Sequence, residues 1–179
     1  MTTARHVQLL SHLRTRAATP DDVGYLFRLS QEFVASGEIR DRPRSSFETQ
    51  LADFLVAEHS GGRVGCAAVR RIGDTGSDGV LYNVCVDPAC HGSGVGVLLV
   101  ESAVALAARL GISRLFAATT RADEWFASRG FERVRHWQVP QSWLVTLDAA
   151  RHALLYVRPV HGLPHAELLP LRDREGRHS

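Results

Sequence analysis

The alternation of apolar and polar positions divides the chain into short extended runs separated by helical stretches of unequal length. Residues 14–18 read as a strand, and Pro20-Asp21-Asp22 then opens a helix whose apolar positions are Val23, Leu26, Phe27, Phe33 and Val34. The acidic pair suits the positive end of that helix. Beyond the polar stretch SGEIRDRPR, Ser45 stands three residues before Glu48, a capping-box spacing, and Phe47 and Leu51 lie one turn apart. A second helix is therefore expected to end near Asp53. Residues 54–57 and 64–69 are apolar runs joined by HSGGR, a hairpin with Gly61 and Gly62 in its turn, and a third strand runs over 80–86. A long helix follows over 95–110, with Gly111 where its C-terminus should lie. Residues 112–118 form the next strand. Thr120 starts a short helix through Ser128, Gly130 ends it, and residues 131–134 and 154–157 resume extended runs. A hairpin meander followed by strand, helix, strand, helix, strand is α/β material, and this mixed order disfavours a Rossmann domain or a barrel.

Composition narrows the class without naming a function. With 179 residues the chain is expected to hold one domain and a self-standing core, and 21 Lys+Arg against 19 Asp+Glu argue against bulk phosphate neutralisation. No nucleic-acid partner is expected. The 3 cysteines, Cys66, Cys85 and Cys90, are odd in number and lack CxxC spacing, so neither a disulfide framework nor a zinc knuckle is supported. Cys85, Cys90 and His91 fall short of four metal ligands, and no metal is expected. No window approaches the roughly 18 apolar residues of a membrane span, and the N-terminal run is too interrupted for a signal peptide. A cytoplasmic protein with no membrane partner is the natural expectation. Residues 1–13 read as an extension, 14–160 as the domain and 161–179 as a tail.

The chemistry concentrates in LYNVCVDPACHGSGVGVLLVESAVALAARLG. Gly92, Gly94 and Gly96 alternate directly after a strand and run into the first turn of a helix. Glycine there lets backbone N–H groups approach a ligand, and the unpaired donors of a helix start favour an anion such as a pyrophosphate. A Walker loop would need Gly-Lys-Ser/Thr, which is absent, and a Rossmann loop another glycine spacing. The plain alternative is a glycine turn that only tightens the strand–helix junction.

Val86-Asp87-Pro88-Ala89-Cys90-His91-Gly92-Ser93-Gly94-Val95-Gly96 resembles the V-x-P-x-x-R/Q-G-x-G-x-G/A signature of the Gcn5-related N-acetyltransferase (GNAT) family. The resemblance implies a GNAT fold: a mixed, mostly antiparallel central sheet flanked by helices. It also implies acetyl-CoA as the acetyl donor. The backbone amides of Gly92, Ser93, Gly94, Val95 and Gly96 would hold the pyrophosphate, Val84 and Val86 would pair with the pantetheine arm, and the Val84 N–H would serve as oxyanion donor. His91 stands where Arg or Gln is usual.

Three longer blocks are similar to the acetyltransferase domain of N-acetylglutamate synthases. They are the stretch from Gly37 to Cys66, the string Leu115-Phe116-Ala117-Ala118-Thr119-Thr120-Arg121 with Trp125-Phe126 and Arg129-Gly130-Phe131, and the closing Arg151-His152-Ala153-Leu154-Leu155-Tyr156-Val157-Arg158-Pro159. The resemblance implies transfer to the α-amine of an acidic amino acid, L-glutamate first. Arg151 matches one substrate arginine; the other falls on Arg42 or on Arg44, depending on how the turn is aligned. Asn83 would line the pocket, and Arg121 is a further substrate candidate. Trp125, Phe126 and Phe131 read as core. The family's general base would fall on Val80, its acid on Phe126, and a substrate serine on Ala153. The base is thus unassigned, with a water chain to Tyr82, a backbone carbonyl or Glu124 as substitutes. Another small amine, a glutamate-like toxin, or a non-catalytic acetyl-CoA-binding module are the competing expectations. At this length no kinase-fold regulatory domain is expected, and pairing of exposed strand edges into a homodimer is a further expectation for such folds.

Overall fold

The computed structural model describes residues 12–120, 123–148 and 152–161. Seven strands form one sheet in the order β1-β2-β3-β4-β5-β7-β6. In chain order they are β1 (Leu13–Ala17), β2 (Phe54–His59), β3 (Gly62–Ile72), β4 (Asp78–Val86), β5 (Arg114–Thr119), β6 (Glu132–Val134) and β7 (Leu154–Pro159). The helices are α1 (Val23–Ala35), α2 (Arg44–Thr49), α3 (Val95–Arg109), α4 (Asp123–Ala127) and α5 (Gln141–Leu144). All neighbouring strands are antiparallel except β4 and β5.

Both faces of the sheet are covered, which is why the strands read as continuous apolar runs rather than as alternating ones. Along β2, Leu55 and Ala57 join the cluster under α3, where Leu99, Val100, Ala103 and Ala107 are fully buried, while Phe54 and Val56 join Leu26, Leu29 and Phe47 under α1 and α2. A third cluster on Val80 and Phe116 is closed by Trp143 of α5, whose ring lies 5.8 Å from that of Phe116.

Several local expectations change on contact with the structure. The hairpin turn is Ser60-Gly61, both at positive φ as a type I′ turn requires, and Gly62 already pairs with His59 inside β3. Ser45 caps nothing: α2 starts at Arg44 with extended Pro43 before it and no side-chain cap. Asp22 is not a solvated helix-dipole charge but is fully buried. It accepts hydrogen bonds from Arg16 and Arg63 at 2.6 Å each and from the Thr19 N–H at 2.7 Å, so it ties β1 and β3 to the start of α1. These donors hold its carboxyl far below the usual carboxylate range, Arg16 contributing most.

Two features of β4 prepare the site. Its parallel pairing with β5 is closed at one end by Arg114, which donates two hydrogen bonds of 2.7 Å to buried Asp78, and it stops at Leu81 opposite Ala117. From Tyr82 onward the strands part, leaving a V-shaped opening. On the other side, Cys66 pairs with Cys85 and Ala68 with Tyr82, so Asn83 and Val84 together oppose Ala67. This is a β-bulge, and Asn83 takes its positive φ of 54°.

Candidate active site

Two adjoining cavities open at the V between β4 and β5. The larger, about 680 Å³, runs from the bulge to the glycine loop; its walls include Val84, Val86, His91, Gly92, Gly94, Val95 and Gly96. The smaller, about 370 Å³, lies under the turn before α2, with Arg42, Tyr82 and Trp143 in its walls. Six residues border both: Glu38, Ile39, Leu81, Tyr82, Asn83 and Ala118.

The larger cleft is shaped by the loop into α3. Gly92 and Gly94 have φ of 73° and 88°, conformations closed to most side chains, and Gly94 is the N-cap residue. The first bond of the helix runs from the Leu98 N–H to the Gly94 carbonyl at 3.0 Å, so the preceding N–H groups stand at an open helix start. A Cβ on Gly96 would lie 3.2 Å from the Trp125 ring and 3.6 Å from Val86, so a glycine keeps this wall back. Trp125 is accordingly half-buried and lines the cleft, where the sequence suggested only a core aromatic. Phe126 borders the cleft as well, but it is buried with Phe131 and Tyr156, at ring distances of 5.3 and 5.9 Å.

Ser93 departs from its expected place. Its N–H and hydroxyl both turn back to the Cys90 carbonyl, so it braces the loop rather than facing the cleft. The His91 ring stays exposed at the cleft wall, its Nε2–H donating to the Val86 carbonyl at 3.0 Å beside the Phe33 ring.

In the smaller cavity the two alignments of the turn separate. Arg42 is in the wall, its guanidinium 4.6 Å from the centre of the Tyr82 ring and its Nη1 buried without a hydrogen-bond partner. Burial pushes its pKa down, and the positive charges of Arg70 and Arg40 add to the effect. Arg44 instead faces solvent and meets Glu48 at 3.5 Å along α2. Arg70, unremarked in the sequence, is a second cation on Tyr82, 5.4 Å from its ring. The Tyr82 hydroxyl donates to Asp53 at 2.6 Å, and burial with that carboxylate raises its pKa, so it is a poor proton acceptor.

The Asn83 side chain is buried and donates to the Ser30 hydroxyl at 2.6 Å. Val80 and Ala153 lie in the wall of the smaller cavity, whereas Glu124 is exposed on α4 and borders neither space. Arg121 and Arg151 lie outside the described residues. Among the described residues no three His, Cys, Asp or Glu side chains converge on a metal-sized site, and no helix is long and apolar enough to cross a membrane.

A splayed β4–β5 pair, a bulge at the split and a glycine-lined helix start define a class. Residues 50–133 match the family model of the acetyltransferase (GNAT) domain, and the chain carries such a domain. Within that class it is similar to the amino-acid acetyltransferase of Ralstonia nicotianae, 39% identical over 116 residues, 65% of this chain and 26% of that protein. The amino-acid acetyltransferase of Pseudomonas syringae pv. syringae is 38% identical over 145 residues, 81% of this chain and 33% of that protein. Among solved structures, N-acetylglutamate synthase from Neisseria gonorrhoeae, complexed with coenzyme A and N-acetyl-glutamate, superposes with a TM-score of 0.79 at 29% identity, covering 83% of this chain and 35% of that one. The chain thus spans about a quarter to a third of the length of the curated relatives it matches.

Proposed function

We propose that this chain transfers the acetyl group of acetyl-CoA to the α-amine of an acidic amino acid, with L-glutamate the first candidate. The observation that carries the reading is the buried, unpartnered Nη1 of Arg42 in a cavity that opens onto the glycine-loop cleft. A guanidinium kept from water needs an anion, and a carboxylate presents two oxygens to its fork.

When bound, acetyl-CoA supplies an activated acetyl thioester as cosubstrate. The N–H groups at the start of α3 suit its pyrophosphate, and the unpaired β4 edge at Val84 and Val86 suits its pantetheine arm. At the bulge, the Val84 N–H is the donor for the thioester oxygen as negative charge builds there. Arg42, with Arg70 beside it, orients the acceptor carboxylate from the smaller cavity, placing the amine at the shared wall. Val80 and Ala153 in that wall favour a second reading, the same transfer to another small amine.

Thiol release from acetyl-CoA across a panel of glutamate, aspartate, glutamine, neutral amino acids and simple amines tests both. Faster release with the acidic members is expected; equal rates with acidic and neutral members would discard the carboxylate clamp.

A further inference from the structure

We infer that Glu38, in the turn after α1, is the general base that takes the proton from the acceptor ammonium. The inference rests on the transfer reading above. The position of β4 where the resemblance places a glutamate is Val80, buried against Phe116 and Trp143. The amine must lose its proton where the two cavities meet, since it has to reach the acetyl group from the acceptor side.

Of the six residues bordering both cavities, Glu38 and Tyr82 are the titratable ones. Tyr82 is committed to Asp53 with its pKa raised. Glu38 is half-buried, its Oε1 accepts from the Ser36 hydroxyl at 2.8 Å, and its charge is felt by Cys85 directly beyond the bulge. The other carboxylates of the smaller cavity, Asp41 and Asp148, stand on its wall alone. Among the described residues, the other charged and titratable groups in the walls of the two cavities are Arg40, Asp41 and Arg42 from the loop of Glu38 itself, Arg70 and Tyr82 from the sheet, Cys90 and His91 from the glycine loop and Asp148 beyond α5.

The step balances without a further reactant. The ammonium gives one proton to the Glu38 carboxylate; the freed nitrogen attacks the thioester carbon as the C–N bond forms. The C–S bond breaks with its electron pair on sulfur, and the thiolate is protonated by the ammonium proton that nitrogen sheds in collapse. Glu38 returns its proton to solvent.

Steady-state kinetics of the parent, E38Q and E38D with an acidic acceptor test the assignment, alongside CoA affinity by calorimetry and thermal melting. E38Q should lose about 10²- to 10⁴-fold in kcat near neutral pH with CoA affinity and melting unchanged. Its rate should keep climbing with pH up to the amine's own pKa, where the parent has levelled off, and E38D should recover part of the loss. E38Q with the parent's rate and pH profile overturns the base while leaving the transfer reading intact. Equal losses in E38Q and E38D with the parent's pH profile also overturn it, since that pattern marks a structural residue. A parent that acetylates no amine removes the transfer reading and the base with it.

Discussion

Replacing Arg42 with leucine should move acceptor affinity and stability in opposite directions. The guanidinium leaves one buried N–H unpaired, a cost of about 1–3 kcal/mol, and its contact with the Tyr82 ring returns about 0.5–2 kcal/mol. Leucine keeps apolar contact with Tyr82, removes the orphan donor and relieves the repulsion from Arg70 and Arg40. The folded state is therefore expected to gain about 1 kcal/mol, or a rise in Tm of about 2–4 °C for a chain of this size. The same substitution deletes a charged hydrogen bond to the acceptor carboxylate, worth about 1.5–3 kcal/mol, so KM for an acidic acceptor should rise about 10- to 150-fold. Two assays read this out: steady-state kinetics at saturating acetyl-CoA, and thermal melting with and without the acceptor. Acceptor at about 100 times its parent Kd adds about 2.7 kcal/mol to the parent, and at the same concentration that increment should fall to about 0.3–1.4 kcal/mol in the variant. A variant that melts several degrees lower while keeping its KM would refute the reasoning, because Arg42 would then be holding the loop rather than waiting for a ligand.

Other substitutions probe the cleft and the scaffold. Gly96→Val sets branched carbons against Trp125 and Val86, so CoA affinity measured by calorimetry should fall by about tenfold or more, while overpacking costs about 1–3 kcal/mol of stability. Asp22→Asn removes the anion shared by Arg16 and Arg63; because both arginines are partly exposed, the low end of the range for a broken buried pair applies, about 3 kcal/mol by urea titration. The folded-state pKa of Asp22 is depressed, so its contribution is complete above the unfolded pKa of about 4 and fades as pH falls below it. The parent should lose stability more steeply than Asp22→Asn below that pH, and parallel curves would show the carboxylate to be unperturbed.

The stretch from Val84 to Arg109 was the most legible part of the chain, because an alternating glycine series before an apolar helix admits few geometries and the structure puts positive φ at Gly92 and Gly94. The central strand runs were equally plain, since two covered faces demand apolar residues along β2 and the middle of β3. What stayed hidden was set by tertiary neighbours. Helix α5 has four residues and no periodicity to read; it exists because Trp143 docks on Phe116. Arg42 and Arg44 are indistinguishable by type and nearly so by spacing, and only the turn into α2 sends one under Tyr82 and the other to solvent. Glu38 lay in SGEIRDRPR, whose composition is that of any solvated loop, so its place at the junction of two cavities had no signal in one dimension. The signature likewise counted Ser93 among the ligand-facing positions, whereas the left-handed glycines on either side rotate it inward.

The bulge at Asn83 and Val84 also resets the phase of β4. Before it, Leu81 sits in the cluster beneath α3 while Val80 and Tyr82 belong to the opposite face; after it, Val84 and Val86 border the α3 cluster and Cys85 joins the α1 side. Odd and even positions have exchanged layers. Removing one residue here would straighten the strand with both halves still on their own faces, whereas flattening the bulge at constant length would turn either the upstream or the downstream half inside out. Any alignment that slides β4 by a single residue across this point therefore mistakes wall for core along the rest of the strand.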